Sequence, residues 1–313
     1  MYIYGPVPSR RLGRSLGVSP IPPKTCSYTC TYCQLGRTTH LVAERSSFFP
    51  KQDIIDEIVK SKPKDKADII TFVGDGEPTL NNDLGWLIRE TKERTNLPVA
   101  VITNGSLLHR KDVREDLSMA DIVLPTFDAG NEKMFRAVNR PHRSIDYETM
   151  LQGHIDFSRG FSGEVWIEVM LIKDLNDTDK ELREIKHAVD MINPDRVYIL
   201  TPIRPPAESW VEPSTPESII KAQEIIGRGI SVAGLEEGNF GLGEFTEAGQ
   251  AVLEIGSRHP LRYEQAIDIE RAFSETGLIK KMIEEKKLIR VEYNGREYLL
   301  PGHFKMGKKS SAK

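Results

Sequence analysis

The 313-residue sequence predicts an α/β fold with a parallel sheet, followed by a small α+β module. Two observations lead to this fold class. Short apolar, β-branched runs alternate with amphipathic helical stretches through most of the chain, which is typical of βαβ units. After "GLGEF" (241–245) the pattern changes to helical stretches and a hairpin. The βα repeats suit either an open doubly wound sheet or a partial barrel, and periodicity alone does not decide between them.

Six strands are predicted before the change in pattern. They are "SLGVS" (15–19), "IITFV" (69–73), "VAVIT" (99–103), "IVLPT" (122–126), "VWIEVML" (165–171) and "VYIL" (197–200). Amphipathic helices are predicted between them, for example "KQDIIDEIVKSK" (51–62), "NDLGWLIRETKERT" (82–95) and "DKELREIKHAVDMI" (179–192). In the first of these helices, Ile54, Ile55, Ile58 and Val59 form an apolar stripe near the 3.6-residue period.

The C-terminal part of the sequence predicts a winged-helix-like module. Three helices are expected at roughly 246–258, 262–273 and 275–286. The hairpin is "LIRVEY-NG-REYLL", in which Asn294-Gly295 supplies the two positive φ angles of a type I′ turn. The predicted division is therefore residues 1–240 for the parallel-sheet domain, 241–305 for the module and 306–313 for a basic, disordered tail.

The composition is that of an ordinary soluble globular protein, with 39% hydrophobic and 28% charged residues. A net charge of −3 neither predicts nor excludes nucleic-acid binding. No apolar stretch has the length of a membrane span, and the N-terminus lacks the apolar segment of a signal peptide. We therefore expect a cytoplasmic protein without a membrane partner. Thiols stay reduced there, so clustered cysteines predict a metal or catalytic site.

All three cysteines lie in "CSYTCTYC", as Cys26, Cys30 and Cys33. An odd number cannot form a closed set of disulfides, and a structural zinc site usually needs four protein ligands. His40 is a fourth ligand in principle, but its spacing does not favour it. In a [4Fe-4S] cluster, three cysteines leave one iron open to a substrate or cofactor. The residues thus favour an iron-sulfur enzyme, with a non-catalytic iron-sulfur or zinc binding module as the alternative.

The spacing CxxxCxΦC, with Tyr32 at the aromatic position, resembles the signature of the radical S-adenosylmethionine (SAM) superfamily. The resemblance makes Tyr32 a candidate for contacting SAM. The resemblance implies a partial (β/α)6 radical SAM barrel and a [4Fe-4S] cluster on the three cysteines. It also implies that SAM chelates the open iron and is cleaved reductively to methionine and a 5′-deoxyadenosyl radical, which abstracts a hydrogen atom from the substrate. A low-potential electron donor of the flavodoxin or ferredoxin type is expected as a partner.

Further motifs along the predicted barrel suggest SAM contacts. In "GDGEPTL", Gly76, Glu77 and Pro78 resemble the GGE-type SAM-binding motif, although Asp75 replaces the first glycine of the usual pair. A Gly-Pro turn with a solvated acid is the structural alternative. The sequence "ITNGSLL" resembles a strand-end signature that would bring Asn104 near SAM, or it is only a helix-entry turn.

Polar residues after the later predicted strands extend this set of candidates. In "LPTFDAG", Thr126 and Asp128 would contact the SAM ribose, or Asp128 would cap a helix. Glu168, Asn176 and Arg204 are candidates for lining the substrate pocket or forming salt bridges within the barrel.

The arginines near the N-terminus, Arg10, Arg11 and Arg14, are candidates for binding an anionic substrate such as RNA phosphate. The alternative is that they close the barrel through carboxylate pairs. The surrounding sequence "YGPVPSRRLGRSLGV" and the continuation "CSYTCTYCQLGRT" resemble a group related to wyosine-synthesis enzymes, which build a tricyclic base on transfer RNA. Those enzymes carry additional cysteines for a second cluster, and this chain has none. The resemblance therefore predicts a single-cluster relative that modifies a tRNA nucleoside, with a peptide or protein side chain as the alternative substrate.

Overall fold

The computed structural model describes residues 1–231, 240–242 and 245–304. Within these residues the strands form one large sheet, a small sheet and a short parallel pair. Their bounds are β1 Ile3–Ser9, β2 Gly13–Val18, β3 Thr25–Cys26, β4 His40–Leu41, β5 Ile69–Phe72, β6 Val99–Thr103, β7 Ile122–Pro125, β8 Glu164–Met170, β9 Arg196–Leu200, β10 Gly229–Ser231, β11 Leu261–Arg262, β12 Leu288–Tyr293 and β13 Arg296–Pro301.

Helices connect the strands of the large sheet and make up much of the C-terminal region. Their bounds are α1 Lys51–Lys60, α2 Leu84–Thr95, α3 Lys111–Leu117, α4 Glu132–Val138, α5 Tyr147–Gly160, α6 Asp179–Ile192, α7 Pro216–Ile226, α8 Ala248–Arg258, α9 Tyr263–Ala272 and α10 Leu278–Glu284. Several begin at side chains that accept a free backbone N–H, such as Thr178 before α6 and Thr215 before α7. No helix in the described ranges combines the length and apolar composition needed to cross a bilayer.

The strand order distinguishes between the two sheet types that the sequence left open. The large sheet has the order β1-β2-β5-β6-β7-β8-β9-β10, and β2 and β5 to β10 are parallel. A doubly wound sheet reverses its strand order at a switch point, whereas here each parallel strand is added on the same side of the last. Among the described residues the sheet ends in β1 and β10, which makes it an open, partial barrel, and the predicted fold class is confirmed.

The sheet is larger than the six predicted strands. All six are present as β2 and β5 to β9, and the short β10 extends the parallel order. The first strand, β1, pairs antiparallel with β2, with Ile3 opposite Val18. It contains Pro6 and Pro8, which are tolerated because β1 lies at the edge of the sheet.

Alternate side chains of the strands point to opposite faces, and each face has its own apolar core. Outward-facing residues of the strands pack against the helices in two large clusters. The concave face carries one smaller layer, in which β5 to β9 each provide a residue: Ile69, Ala100, Leu124, Trp166 and Tyr198. This layer fills the interior of the barrel near the start of the strands, and the described residues leave open space towards the carboxyl ends.

The last described elements, residues 245–304, are called the C-terminal module below. Its helices α8 to α10 pack on the sheet β11-β13-β12 around a separate apolar core. The predicted helices and hairpin are observed, and Asn294 and Gly295 have φ angles of 50° and 68°, as a type I′ turn requires. The winged-helix assignment stays a prediction. The predicted tail, 306–313, lies outside the described residues, as do residues 243–244 and 305 of the predicted module.

A buried histidine on α5 makes stability depend on pH. His154 is 1% exposed, and its Nδ1–H donates to the Met150 carbonyl at 2.8 Å. Burial lowers the pKa of His154 from 6.5 to about 4, because the protonated ring would be desolvated. Between these two values the unfolded chain binds a proton that the folded chain does not. Stability therefore falls as pH decreases through this range, by about 1.4 kcal/mol per pH unit from this group.

We expect His154→Gln, which keeps a side-chain N–H donor, to lose this contribution. Urea unfolding at pH 6.5 and at pH 5 measures how much unfolding free energy is lost between the two pH values. This loss should be roughly 2 kcal/mol smaller in the variant than in the wild type. Equal decreases in the two proteins would show that His154 titrates normally.

Candidate active site

A cavity of about 370 Å³ opens at the carboxyl ends of the barrel strands. The loop after β2, the segment after β5 and the ends of β8 and β9 provide most of its walls. The C-terminal module closes one side with residues 258 and 259. Because parallel strands direct their carboxyl ends to one edge of the sheet, residues distant in sequence meet here.

The cysteine loop, residues 25–41, folds between the paired strands β3 and β4. Tight backbone bonds shape it: Cys33 N donates to the Cys30 carbonyl at 3.2 Å, and Gly36 N to the Cys33 carbonyl at 3.0 Å. All three cysteines are free, half-buried and line the same cavity. The sequence-predicted ligands are thus brought together by one short loop.

The sulfur atoms of this loop receive hydrogen bonds from three directions. The Asn104 amide and the Tyr28 N–H donate to Cys26 Sγ at 3.5 and 3.4 Å, and the Asn139 amide donates to Cys30 Sγ at 3.7 Å. Burial raises the pKa of Cys26 to about 12, with Glu77 contributing to the increase. Without a cation the thiols are therefore protonated, and metal binding would release those protons.

The donor set fits a multi-iron cluster. Within the described ranges, no three His, Cys, Asp or Glu side chains converge closely enough to hold one metal ion. Cys26, Cys30 and Cys33 line one cavity, and thiolates are the protein ligands of [4Fe-4S] clusters. Hydrogen bonds to sulfur, as from Asn104 and Asn139, are among the contacts that set the potential of such clusters.

Gly76 and Glu77 lie where β5 ends. Gly76 lines the cavity, and a Cβ at this position would overlap the Thr25 carbonyl oxygen. Glu77 is 2% exposed, and its carboxylate accepts hydrogen bonds from the N–H and hydroxyl of Thr79, the hydroxyl of Thr103 and the N–H of Asn104, at 2.6 to 3.0 Å. Burial raises the pKa of Glu77, and these hydrogen bonds oppose that rise.

Glu77 therefore joins the end of β5 to the end of β6. Pro78 begins a buried 3-10 turn, Pro78–Leu80, which Glu77 caps through Thr79 N. The structure thus gives Glu77 a supporting position, while the backbone of Gly76 borders the open space. The solvated-acid interpretation of this motif is wrong, because the carboxylate is buried and bonded.

Asp128 is the centre of a second buried network. Its carboxylate accepts hydrogen bonds from Tyr32 Oη at 2.5 Å, from the Asn139 amide at 2.6 Å and from Met170 N at 2.8 Å. Burial raises the pKa of Asp128 to about 6. The observed N-cap of α4 is Asn131, so the alternative role of Asp128 as a cap is wrong. Instead, Asp128 fixes the aromatic residue of the cysteine motif.

Two other sequence candidates mainly support the backbone around this network. Thr126 follows β7, forms a bridge to Glu168 and donates its N–H to the Thr103 carbonyl at 3.0 Å. Asn176 is fully buried. Its side chain accepts from Ile172 N and donates to the carbonyls of Asp128 and Met170.

The candidate arginines separate into different environments. Arg11 points into the barrel and pairs with Glu168, whose side chain is 10% exposed. Burial raises the pKa of Glu168, and the nearby Arg11 opposes that rise. Arg10 and Arg204 also line the cavity. Arg14 instead pairs with Asp68 at the surface, where its side chain is 62% exposed.

Sequence reasoning did not identify two residues that support the cysteine loop. Asn139 contacts both Cys30 and Asp128, but no motif marks it, since it lies at the end of α4. Glu208 accepts hydrogen bonds from Arg37 at 2.8 Å and Arg140 at 2.6 Å, and its N–H donates to the Thr31 carbonyl. The partners are far apart in sequence, so only the folded chain reveals these contacts.

Known proteins that resemble this chain in sequence or fold belong to a superfamily that fits this site. A family model described as the radical SAM superfamily matches residues 21–186, which include the cysteine loop and the segment after β5. The fold is similar to that of a radical SAM methyltransferase from Sphaerobacter thermophilus, with a TM-score of 0.51, 15% identity and coverage of 70% of this chain and 66% of that one. It is also similar to Streptococcus suis SuiB bound to S-adenosylmethionine, with a TM-score of 0.52, 14% identity and coverage of 71% and 50%. The chain is a radical SAM enzyme, with a [4Fe-4S] cluster and SAM as its cofactors.

A curated relative defines the family more closely. The chain is 38% identical over 307 residues to UPF0026 protein MJ1312 of Methanocaldococcus jannaschii, and the match covers 95% of both proteins. The chain therefore belongs to the UPF0026 family within the radical SAM superfamily.

Proposed function

We propose that this enzyme holds its cluster on Cys26, Cys30 and Cys33, binds SAM across the strand ends and modifies a tRNA nucleoside. The observation that carries the proposal is that the three cysteines and Gly76 line the same cavity. When bound, the cluster supplies the electron for reductive cleavage of SAM. A flavodoxin- or ferredoxin-type donor in the cytoplasm would in turn reduce the cluster.

The chain's own residues orient the cofactors. Asn104 and Asn139 donate to the ligand sulfurs, and Asp128 fixes Tyr32 beside them. Glu77 holds the ends of β5 and β6 together through four hydrogen bonds, which keeps the Gly76 backbone exposed to the cavity. These buried networks are preorganised, so little rearrangement is needed when the cofactors bind.

The charge of the cavity supports an anionic substrate. Five lining residues are cationic and two are carboxylates, which gives a net charge of +3 at neutral pH: Arg10, Arg11, Lys24, Arg204 and Arg258 against Asp75 and Glu168. Positive potential in a partly enclosed cavity attracts phosphate groups. The sequence resemblance to wyosine-synthesis enzymes points to the same substrate class, although a single-cluster enzyme would carry out a different step.

The proposed division into domains follows from the fold. We propose residues 1–240 as the catalytic barrel and residues 241–305 as a winged-helix-like domain. The separate apolar core of the C-terminal module supports this division.

Two experiments test the proposed function. Purified protein, reconstituted anaerobically with iron and sulfide, should become brown and release 5′-deoxyadenosine from SAM when dithionite is added. A colourless, zinc-loaded protein that leaves SAM intact would contradict the proposal. Separately, tRNA from a deletion strain should lack one modified nucleoside by mass spectrometry. The wild-type gene should restore it, and the Cys30→Ser gene should not.

The second experiment also distinguishes between substrates. An unchanged nucleoside profile, together with a protein that loses a modification, would replace tRNA by a peptide or protein side chain.

A further inference from the structure

The C-terminal module reaches the cavity of the active site through the end of α8. Arg258, the last residue of α8, donates from Nε to Asp75 Oδ2 at 3.2 Å, and the two side chains are 9% and 10% exposed. The guanidinium also bonds Glu254 at 2.9 Å and lies 5.3 Å from the ring centroid of Tyr4. A buried ion pair therefore connects the module to the segment that follows β5.

Asp75 is in turn bonded to the chain that leads into the cysteine loop. Lys24 N donates to the Asp75 carbonyl at 2.5 Å, and Glu77 N donates to the Thr25 carbonyl at 3.0 Å. Gly76, between these bonds, has no space for a Cβ against Thr25. Residues 75–77 and 24–25 thus form a tight unit, in which any displacement of Asp75 also displaces the backbone next to Cys26.

A second connection reaches the other end of the cysteine motif. Gln34 directly follows Cys33, and its Nε2 donates to the Arg258 carbonyl at 3.1 Å. Arg204 Nη1 donates to Gln34 Oε1 at 3.0 Å, and Arg204 Nη2 donates to His259 Nε2 at 2.7 Å. The module is therefore connected to the chain on both sides of the three cysteines, through Asp75 on the N-terminal side and directly to Gln34 on the C-terminal side.

The ion pair also accounts for a departure in the sequence. The GGE-type motif has a glycine where this chain has Asp75. A carboxylate in this buried position is costly unless a cation compensates it, and removing one partner leaves the other charge unpaired. Arg258 is that cation, and it comes from the opposite end of the chain.

We propose that Arg258 is a positioning residue of the active site. By pairing with Asp75, it holds the Gly76 segment and the start of the cysteine loop in the arrangement that binds SAM. The C-terminal module is then a necessary part of the SAM site. This inference rests on the proposed function, since it takes SAM to bind against Gly76.

The test is SAM affinity, measured by calorimetry on reconstituted protein. Arg258→Ala, Asp75→Ala and Asp75→Gly should each raise the Kd for SAM by about 10- to 100-fold, as is typical when the support of a binding group is lost. The double variant Arg258→Ala with Asp75→Ala should be no weaker than either single variant, because the two residues act as a pair. Arg258→Lys, which keeps the charge, should recover part of the affinity.

A matched control and a spectroscopic measurement complete the test. Arg271 lies on the same module, is 72% exposed and pairs only weakly with Asp268, so Arg271→Ala should leave the Kd unchanged. The electron paramagnetic resonance spectrum of the reduced cluster should change on SAM addition in the wild type, and at higher SAM concentrations in the Arg258 variant.

The outcomes separate the two proposals. If the wild type binds SAM and Asp75→Gly binds it equally well, the positioning role is wrong while the proposed function stands. If the wild type itself binds no SAM, the proposed function is wrong. Should Arg258→Ala fail to fold, Asp75→Gly and Arg258→Lys give the answer. In both variants the cation at position 258 is still compensated, because Glu254 remains beside it.

Discussion

Replacing Cys26, Cys30 or Cys33 by serine should abolish cluster binding and SAM cleavage. Each of these cysteines lines the same cavity, and the chain contains no other cysteine that could substitute for it. A reconstituted wild-type protein should contain about four irons per chain, and each variant less than about one. Iron and sulfide analysis, visible absorbance and release of 5′-deoxyadenosine measure the effect.

His40→Ala is the matched control for these variants. His40 is exposed on the same loop and is the residue that a zinc site would need as its fourth ligand. We expect full iron content and normal SAM cleavage in this variant. Loss of metal from His40→Ala, with zinc in the wild type, would instead establish a zinc site with three cysteines and one histidine.

Substituting alanine for Gly76 should be the most damaging change outside the cysteines. The added Cβ would overlap the carbonyl oxygen of Thr25, and both groups belong to backbone that hydrogen bonds hold in place. Neither can rotate away as a side chain could, so the segment after β5 must separate from the cysteine loop. We expect a loss of roughly 3 kcal/mol or more in unfolding free energy, together with loss of SAM binding.

Gly160→Ala is the control for this prediction. Gly160 ends α5, and a Cβ there would meet no atom within 4 Å. Alanine is the better helix former, so this variant should equal or exceed the wild type in stability, by up to about 1 kcal/mol. If Gly76→Ala unfolds at the same urea concentration as Gly160→Ala and binds SAM normally, the close packing against Thr25 has no functional importance.

Six parallel strands of the large sheet, β2 and β5 to β9, could be predicted because they are short apolar runs between polar or glycine-containing segments. The predicted strand at residues 99–103, for example, is observed as Val99–Thr103. The first strand was missed, because "IYGPVPS" contains two prolines and lacks a regular apolar alternation. The three-residue β10 is too short to give any periodic signal.

The cysteines and the GGE-like segment could be predicted since both are short motifs with a fixed spacing. The residues that hold them were not predictable, because their contacts join distant parts of the chain. Asn139 meets Cys30 across 109 residues, and Arg258 meets Asp75 across 183. No local pattern marks such pairs, and only the order of strands in the barrel brings them together.

The position of Arg258 has a consequence for how the enzyme matures in the cell. A ribosome adds roughly 5–20 residues per second, and domains made first begin to fold first. The cysteine loop therefore emerges on the order of ten seconds or more before Arg258 does. If the positioning role proposed above holds, a nascent barrel with its three thiols already folded still lacks the residue that orders its SAM segment. Tight SAM binding is then expected only after Arg258 has been synthesised and α8 has packed against the barrel.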